Sequence, residues 1–129
     1  MIRSDLARRV LLGLTAAVFV AIAARGVLAP AQMAAGLGYS LSAPNGYSEF
    51  YAIYLGLWLA TAALAILAAV RIRQPQLGDL LALLVLAQPV GRLYAAALYG
   101  LPQGPLLAIF GLELIGGLLV LGVRPSRST

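Results

Sequence analysis

The 129-residue chain is 62% hydrophobic and only 10% charged, a composition that excludes an ordinary soluble domain and favours an integral membrane protein. It contains no cysteine and no histidine, which excludes disulfides, zinc clusters, histidine-ligated haem and histidine proton shuttles. Its net charge of +5 comes from nine arginines, most of which lie between hydrophobic runs, so they indicate membrane topology rather than nucleic-acid binding.

Four stretches of the chain are apolar over the roughly 20 residues that a membrane-spanning helix needs. Proline, glycine and arginine separate them: Pro30 ends the first, Ala43-Pro44-Asn45-Gly46 forms a turn before the second, and Gly100-Leu101-Pro102 separates the third from the fourth. We therefore predict an all-α membrane protein, a four-transmembrane-helix bundle that forms a single membrane domain over residues 1–129. The predicted spans cover about 10–29, 47–70, 77–99 and 105–123.

The arginines also predict the orientation of this bundle. The connections at 31–46 and 100–104 carry no charge, whereas the opposite side of a four-span arrangement carries seven arginines: Arg3, Arg8, Arg9, Arg71, Arg73, Arg124 and Arg127. By the positive-inside rule both termini are cytoplasmic. The alanine- and arginine-rich, lysine-free composition further suggests a bacterial cytoplasmic (inner) membrane.

An alternative treats the first segment as a cleaved signal peptide with a basic beginning. It is disfavoured because Arg25 precedes any small-residue cleavage site.

Four ionisable residues, Arg25, Glu49, Arg92 and Glu113, fall within or at the rims of the spans, where charges usually face the bundle interior or pair with one another. With a helical rise of 1.5 Å per residue, Arg92 and Glu113 both lie roughly 12 Å from the uncharged ends of their helices. Arg25 and Glu49 lie roughly 6 and 3 Å from theirs. We predict an Arg92–Glu113 pair, and a second pair or a four-member network that includes Arg25 and Glu49.

Helical spacing assigns faces to the second and third spans. On the third span one stripe should face inward: Gln88, Arg92, Ala95 and Tyr99. On the second span one narrow stripe consists of Glu49, Ile53, Gly56, Ala60 and Ala63, and its small residues indicate close helix packing. The opposite stripe favours an interfacial or lipid-facing surface, and it consists of Tyr47, Tyr51, Tyr54 and Trp58.

Three short motifs carry a resemblance over nearly the whole chain. They are Glu49-Phe50-Tyr51-Ala52-Ile53-Tyr54-Leu55-Gly56, Gly91-Arg92-Leu93 and Leu112-Glu113. Their order resembles a bacterial four-helix membrane family catalogued as domain of unknown function 4345, akin to the DoxX-like membrane proteins. The sequence departs from the family pattern at Tyr51, where arginine is usual, and at Leu55, where glycine is usual. The resemblance implies no activity, and nothing here carries the quinone-linked sulfur oxidation associated with some DoxX-like relatives.

These observations favour a small non-enzymatic membrane protein that binds a lipophilic ligand or a partner membrane protein in a polar pocket of its outer half. Arg92 and Glu113 would anchor the ligand, and Arg25, Glu49 and Gln88 would complete the polar lining. Aromatic walls would come from four tyrosines if these turn inward: Tyr51, Tyr54, Tyr94 and Tyr99. No catalytic residue and no metal site is predicted, and no cofactor beyond a bound lipid or quinone.

The expected partners are membrane lipids, with a membrane protein or a second copy of the chain as further options and nucleic acid excluded. Three alternatives stay open at this stage. The charges can be structural pins only; the protein can be a quinone- or lipid-linked enzyme or redox subunit in which Glu113 or Glu49 handles protons; or it can be an oligomeric small-solute transporter, for which Gly56-x-x-x-Ala60 is a dimerisation signal.

Overall fold

The computed structural model describes residues 2–126, and these form four helical spans that are long and apolar enough to cross a membrane. The predicted all-α fold is confirmed. The helices are α1 (Asp5–Leu28), α2 (Pro30–Gly36), α3 (Ala43–Tyr51), α4 (Trp58–Val70), α5 (Pro75–Tyr99) and α6 (Pro105–Gly122). A π-helical segment, Ala52–Leu57, joins α3 and α4 into one continuous second span. Arg127 lies outside the described residues.

Capping and proline explain where the spans begin. Helix α1 starts five residues before the predicted span because the Ser4 hydroxyl accepts a hydrogen bond from the Ala7 amide at 3.2 Å, and Asp5 lies in the first turn, where the helix dipole favours an acid. The segment from Ala43, predicted as a turn, is the first turn of α3, since proline is tolerated there. The connection before it contains the short helix α2 rather than an irregular loop.

Two tight helix pairs, α1 with α4 and α5 with α6, build the bundle. Helix α4 also packs on α5 and closes one side, whereas α1 and α6 touch much less extensively. The apolar core lies between the pairs, with Leu12, Ala65 and Leu81 fully buried at its centre. The seam between α1 and α6 is therefore the loosely packed side of the bundle.

The second span buries its aromatic face and exposes its small residues, which reverses the predicted facing. Trp58 is buried, with its ring centroid 5.6 Å from that of Phe19 on α1 and 4.9 Å from that of Tyr54. Gly56 and Ala60 lie on the exposed side. Aromatic side chains remove far more apolar surface on packing than glycine or alanine, so they take the interior face.

Both described chain ends lie at one end of the bundle, which we call the charged end. There β1 (Ile2–Arg3) pairs in parallel with β2 (Val123–Arg124), and the Ser4 amide donates to the Arg124 carbonyl at 3.1 Å. Two ion pairs support this contact, one between Arg73 and Asp5 at 3.4 Å and one between Arg124 and Asp79. The cytoplasmic location of this end stays a prediction from the arginines.

Arg8 is the most deeply buried charged side chain among residues 2–126, with 1% of its surface exposed. Its Nη1 donates to the carbonyls of Val120, at 3.0 Å, and Val123, and its Nη2 donates to the Pro75 carbonyl at 3.2 Å. The carbonyls at the end of α6 lack partners within their own helix, so Arg8 caps that helix and ties it to α1 and α5. Gly78 makes the space, because a Cβ there would overlap the Arg8 guanidinium.

We predict that Gly78→Ala destabilises the protein by about 2 to 4 kcal/mol, because the guanidinium must leave buried carbonyls whose lost hydrogen bonds each cost about 1 to 3 kcal/mol. Gly91→Ala is the matched control on the same helix, since a Cβ at Gly91 meets nothing within 4 Å. The control should be neutral or stabilising by up to about 1 kcal/mol, through helix propensity. Unfolding in mixed detergent micelles measures both, and equal stabilities would contradict the role given to Arg8.

Candidate functional site

A cavity of about 180 Å³ lies at mid-bundle on the seam between α1 and α6, and we call it the lateral cavity. Its walls are almost entirely apolar, and Glu113 is the one charged residue in its lining. At the rim Leu14 and Leu112 are 61% and 66% exposed, so the cavity borders the outer surface of the bundle. The lining residues are Leu14, Thr15, Val18, Phe19, Ile22, Trp58, Val85, Ile109, Leu112, Glu113, Gly116 and Val120.

The Glu113 carboxylate is held by Arg92 from the neighbouring helix. Arg92 donates from Nε to Oε2 and from Nη2 to Oε1, both at 2.8 Å, which is the two-pronged geometry of a strong guanidinium–carboxylate pair. Glu113 is buried, whereas a quarter of the Arg92 side chain is exposed. The structure thus joins the two residues paired by depth in the sequence; that the pair lies inside a bilayer and serves a ligand stays a prediction.

Close contact between α5 and α6 keeps this pair together. A Cβ at Gly117 would lie 2.6 Å from the Leu86 side chain, so glycine is needed for the two helices to approach. The adjacent Gly116 faces the cavity instead, and a Cβ there meets nothing within 4 Å. Gly117 therefore sets the distance between α5 and α6, and Gly116 leaves space open in the lateral cavity.

Glu49 does not join Arg92 and Glu113 in one pocket, which corrects the predicted four-member network. It is exposed and lines a separate groove at the end of the bundle opposite the charged end, where Tyr54 and Tyr39 also lie. Partial burial and then a hydrogen bond to Tyr54 raise the pKa of the Tyr39 hydroxyl to about 12, so this tyrosine is neutral at physiological pH.

The predicted Arg25–Glu49 pair is also absent from the three ion pairs among residues 2–126. Arg25 is exposed on α1. Two residues at one depth pair only when their helices also turn them toward each other, and these helices do not. Gln88 is half-buried on α5, one turn before Arg92, and is not part of the cavity lining.

None of the four tyrosines predicted as aromatic walls lines the lateral cavity, so that prediction is wrong. Tyr94 and Tyr99 are 71% and 87% exposed, so they do not turn inward. Of the predicted inward stripe on α5, Gln88 and Arg92 are partly buried, whereas Ala95 and Tyr99 are exposed. Tyr51 and Tyr54 are half-buried and pack against Phe50, with centroid distances of 5.5 and 4.8 Å. They support the second span rather than the cavity.

Sequence reasoning missed the residues that shape the cavity opposite Glu113. Phe19 and Trp58 form its inner wall, and Thr15 lies beside them with its hydroxyl bonded to the Leu11 carbonyl at 2.9 Å. The spacing of Thr15 and Phe19, one helical turn apart, puts them on one face of α1 and could have been noticed. Their convergence with Glu113 depends on how α1 packs, which the sequence does not state.

The geometry offers a recognisable chemistry. An ionised carboxylate accepts hydrogen bonds at about four lone-pair positions, and Arg92 occupies two of them. The remaining positions of Glu113 suit a hydroxyl or amine donor from a molecule in the cavity. Among the described residues no group of three or more acidic, histidine or cysteine side chains could hold a metal ion.

Comparison with known proteins gives one match. A family model described as "Domain of unknown function (DUF4345)" covers residues 7–123. No curated protein and no solved structure matches the chain significantly. The kinship with DoxX-like proteins and the bacterial origin stay predictions.

We predict that Arg92→Leu and Glu113→Leu each destabilise the protein by about 2 to 4 kcal/mol, because each leaves one charge partly buried and unpaired. The double variant should be much less destabilised than the sum of the single variants, since no isolated charge remains. Unfolding in mixed micelles gives the coupling energy, with Arg25→Leu as an exposed-arginine control that should change little. Additive single effects would show that the pair contributes nothing as a unit.

Proposed function

The chain belongs to the DUF4345 family, whose description names no activity, and we propose from its geometry that it binds a lipophilic molecule bearing a hydrogen-bond donor. The lateral cavity with its buried Glu113 carboxylate carries this proposal. The protein would be a multi-pass protein of a bacterial inner membrane with both termini in the cytoplasm, as the arginine distribution favours. In that setting the seam between α1 and α6 faces the lipid.

The size of the cavity limits what enters it. An apolar cavity of about 150 Å³ accommodates a benzene molecule, so the 180 Å³ here suits a single ring or a short branched group. Complete drug-sized ligands need about 300 Å³ or more. The ligand would therefore place one ring in the cavity and extend its remaining apolar part along the seam, past Leu14 and Leu112, into the bilayer.

The chemistry of the site limits the ligand further. Glu113 accepts hydrogen bonds but, when ionised, donates none, so a hydroxyl group on the ring is favoured over a carbonyl. An anionic ligand would be repelled by the carboxylate at close range in this apolar environment. Lipophilic phenols, alcohols and quinols have the required combination of an apolar body and a donor.

Binding rather than catalysis is the proposed role. A carboxylate that serves as a proton-transfer base needs a pKa near the working pH, which usually requires burial without a neutralising cation. Glu113 has such a cation beside it, because Arg92 donates a hydrogen bond to each of its two carboxylate oxygens. The quinone-linked enzyme is therefore the weaker proposal, although a quinol would be accepted as a ligand.

Filling the cavity from Gly116 tests this function without touching the ion pair. Gly116→Leu places a side chain in the open volume, and Gly111→Leu on the same helix is the control, because a Cβ meets nothing within 4 Å at either position and Gly111 is not in the lining. The probe is a long-chain phenol bearing a diazirine on its ring, photoactivated in vesicles that contain the protein. Peptide mass spectrometry then maps the labelled positions.

In the unsubstituted protein we expect labels on α1 and α6 around Val18 and Gly116. Gly116→Leu should reduce them about ten- to hundredfold, as expected from losing roughly 1.5 to 3 kcal/mol of apolar burial. Gly111→Leu should leave them unchanged. Labelling that Gly116→Leu leaves unchanged would rule out the cavity as a binding site and favour a purely structural role for the ion pair.

A further inference from the structure

We infer that a second site, at the charged end, binds the phosphate headgroup of an anionic phospholipid. The site is a groove on the outer side of α1 and the end of α4, which we call the arginine groove. Three arginines and one acid line it. Its lining residues are Asp5, Arg9, Val70, Arg71, Ile72, Arg73 and Gln74.

The balance of charges makes this groove cationic. Among residues 2–126, three of the four acids are in ion pairs: Asp5 with Arg73, Asp79 with Arg124, and Glu113 with Arg92. Glu49, the fourth acid, lies at the opposite end of the bundle. Asp5 in the groove therefore pairs with Arg73, and neither Arg9 nor Arg71 forms an ion pair with a carboxylate of the described residues.

The donors of these two arginines remain largely available. A guanidinium carries five N–H groups. Arg9 uses one of its groups, from Nη1, on the Ala69 carbonyl at 2.6 Å, and the Arg71 side chain makes no hydrogen bond within residues 2–126. Arginine forks match phosphate oxygens in geometry and in charge. Within residues 2–126 the groove thus offers two cations whose donors are mostly unused.

The surroundings of the groove favour a lipid over a free phosphate ion. Val70 in the lining is 67% exposed, and Ile66, one turn deeper on α4, is 53% exposed. On α1, Leu6 and Val10 flank Arg9 and are 73% and 52% exposed. These side chains lead from the groove into the apolar belt of the bundle, where acyl chains would lie. The arginines lie at its edge, the level of lipid headgroups.

The inference is independent of the lateral cavity, which lies on the other seam of α1 at mid-depth. It is tested on the full-length protein in nanodiscs made of equal parts phosphatidylcholine and phosphatidylglycerol. Native mass spectrometry of the released protein counts the lipids of each kind that stay bound. The variants are Arg71→Gln and the double variant Arg9→Gln/Arg71→Gln. Arg25→Gln is the matched control, because Arg25 is an exposed arginine at the opposite end of α1.

We expect the unsubstituted protein to retain phosphatidylglycerol in preference to phosphatidylcholine. Removing one arginine near a headgroup should lower that preference about fivefold. The preference should therefore fall about fivefold in Arg71→Gln, further in the double variant, and not at all in Arg25→Gln. Arg71→Gln breaks no side-chain hydrogen bond and no ion pair among the described residues, so we expect the variant to fold.

Two results would overturn the inference. One is a lipid preference that is equal in Arg71→Gln and Arg25→Gln, which would mean that the groove selects no headgroup. The other is displacement of the lipid by excess inorganic phosphate, with the ion itself retained on the protein. That result would assign the groove to a free anion rather than to a lipid.

Discussion

The bundle depends on how α4 and α6 end at the charged end, where each leaves main-chain carbonyls without partners in its own helix. Two consecutive arginines of α1 meet this need: Arg8 reaches the end of α6, and Arg9 donates to Ala69 at the end of α4. An arginine is suited to both tasks because it bonds several carbonyls at once and complements the negative end of a helix dipole. The sequence shows a run of arginines but does not tell which is buried; that follows from Gly78, where the absence of a side chain makes room for Arg8.

A second constraint acts at mid-depth, where Glu113 would be costly inside the bundle without a cation. Arg92 satisfies it across the α5–α6 contact, and Gly117 allows the helices to approach closely enough. Because both residues of the ion pair belong to α5 and α6, the pair does not hold α6 against α1. The seam between α1 and α6 stays loosely packed, and the lateral cavity occupies it. The same interaction that stabilises one helix pair therefore leaves space beside its carboxylate.

The depth of a residue along a helix can be predicted from the sequence, but the direction in which its side chain faces can be predicted only in part. The four spans follow from hydropathy alone, and the Arg92–Glu113 pair follows from equal depth on helices that are consecutive and antiparallel. Equal depth did not suffice for Arg25 and Glu49, which are both exposed. The predicted facing of the second span is wrong because the residue type of Trp58 favours a membrane interface, whereas burial of its ring against Phe19 decides the orientation of the span. The cavity itself combines side chains from every span, and no local pattern predicts it.

Helix α1 contributes residues to both proposed sites, and contacts hold it in place at each of its two ends. At the charged end it is held by its arginines; at the other end Gly26 lies against Phe50 and Met33, whose atoms would be 3.5 and 3.6 Å from a Cβ placed there. A helix fixed at both ends has little freedom to swing at its middle. The width of the lateral cavity is then set by the side chains that face it, such as Val18 on α1 and Gly116 on α6. Ligand preference in this protein would accordingly follow from side-chain volume on the seam, and lipid preference from arginine charge at the end of the bundle.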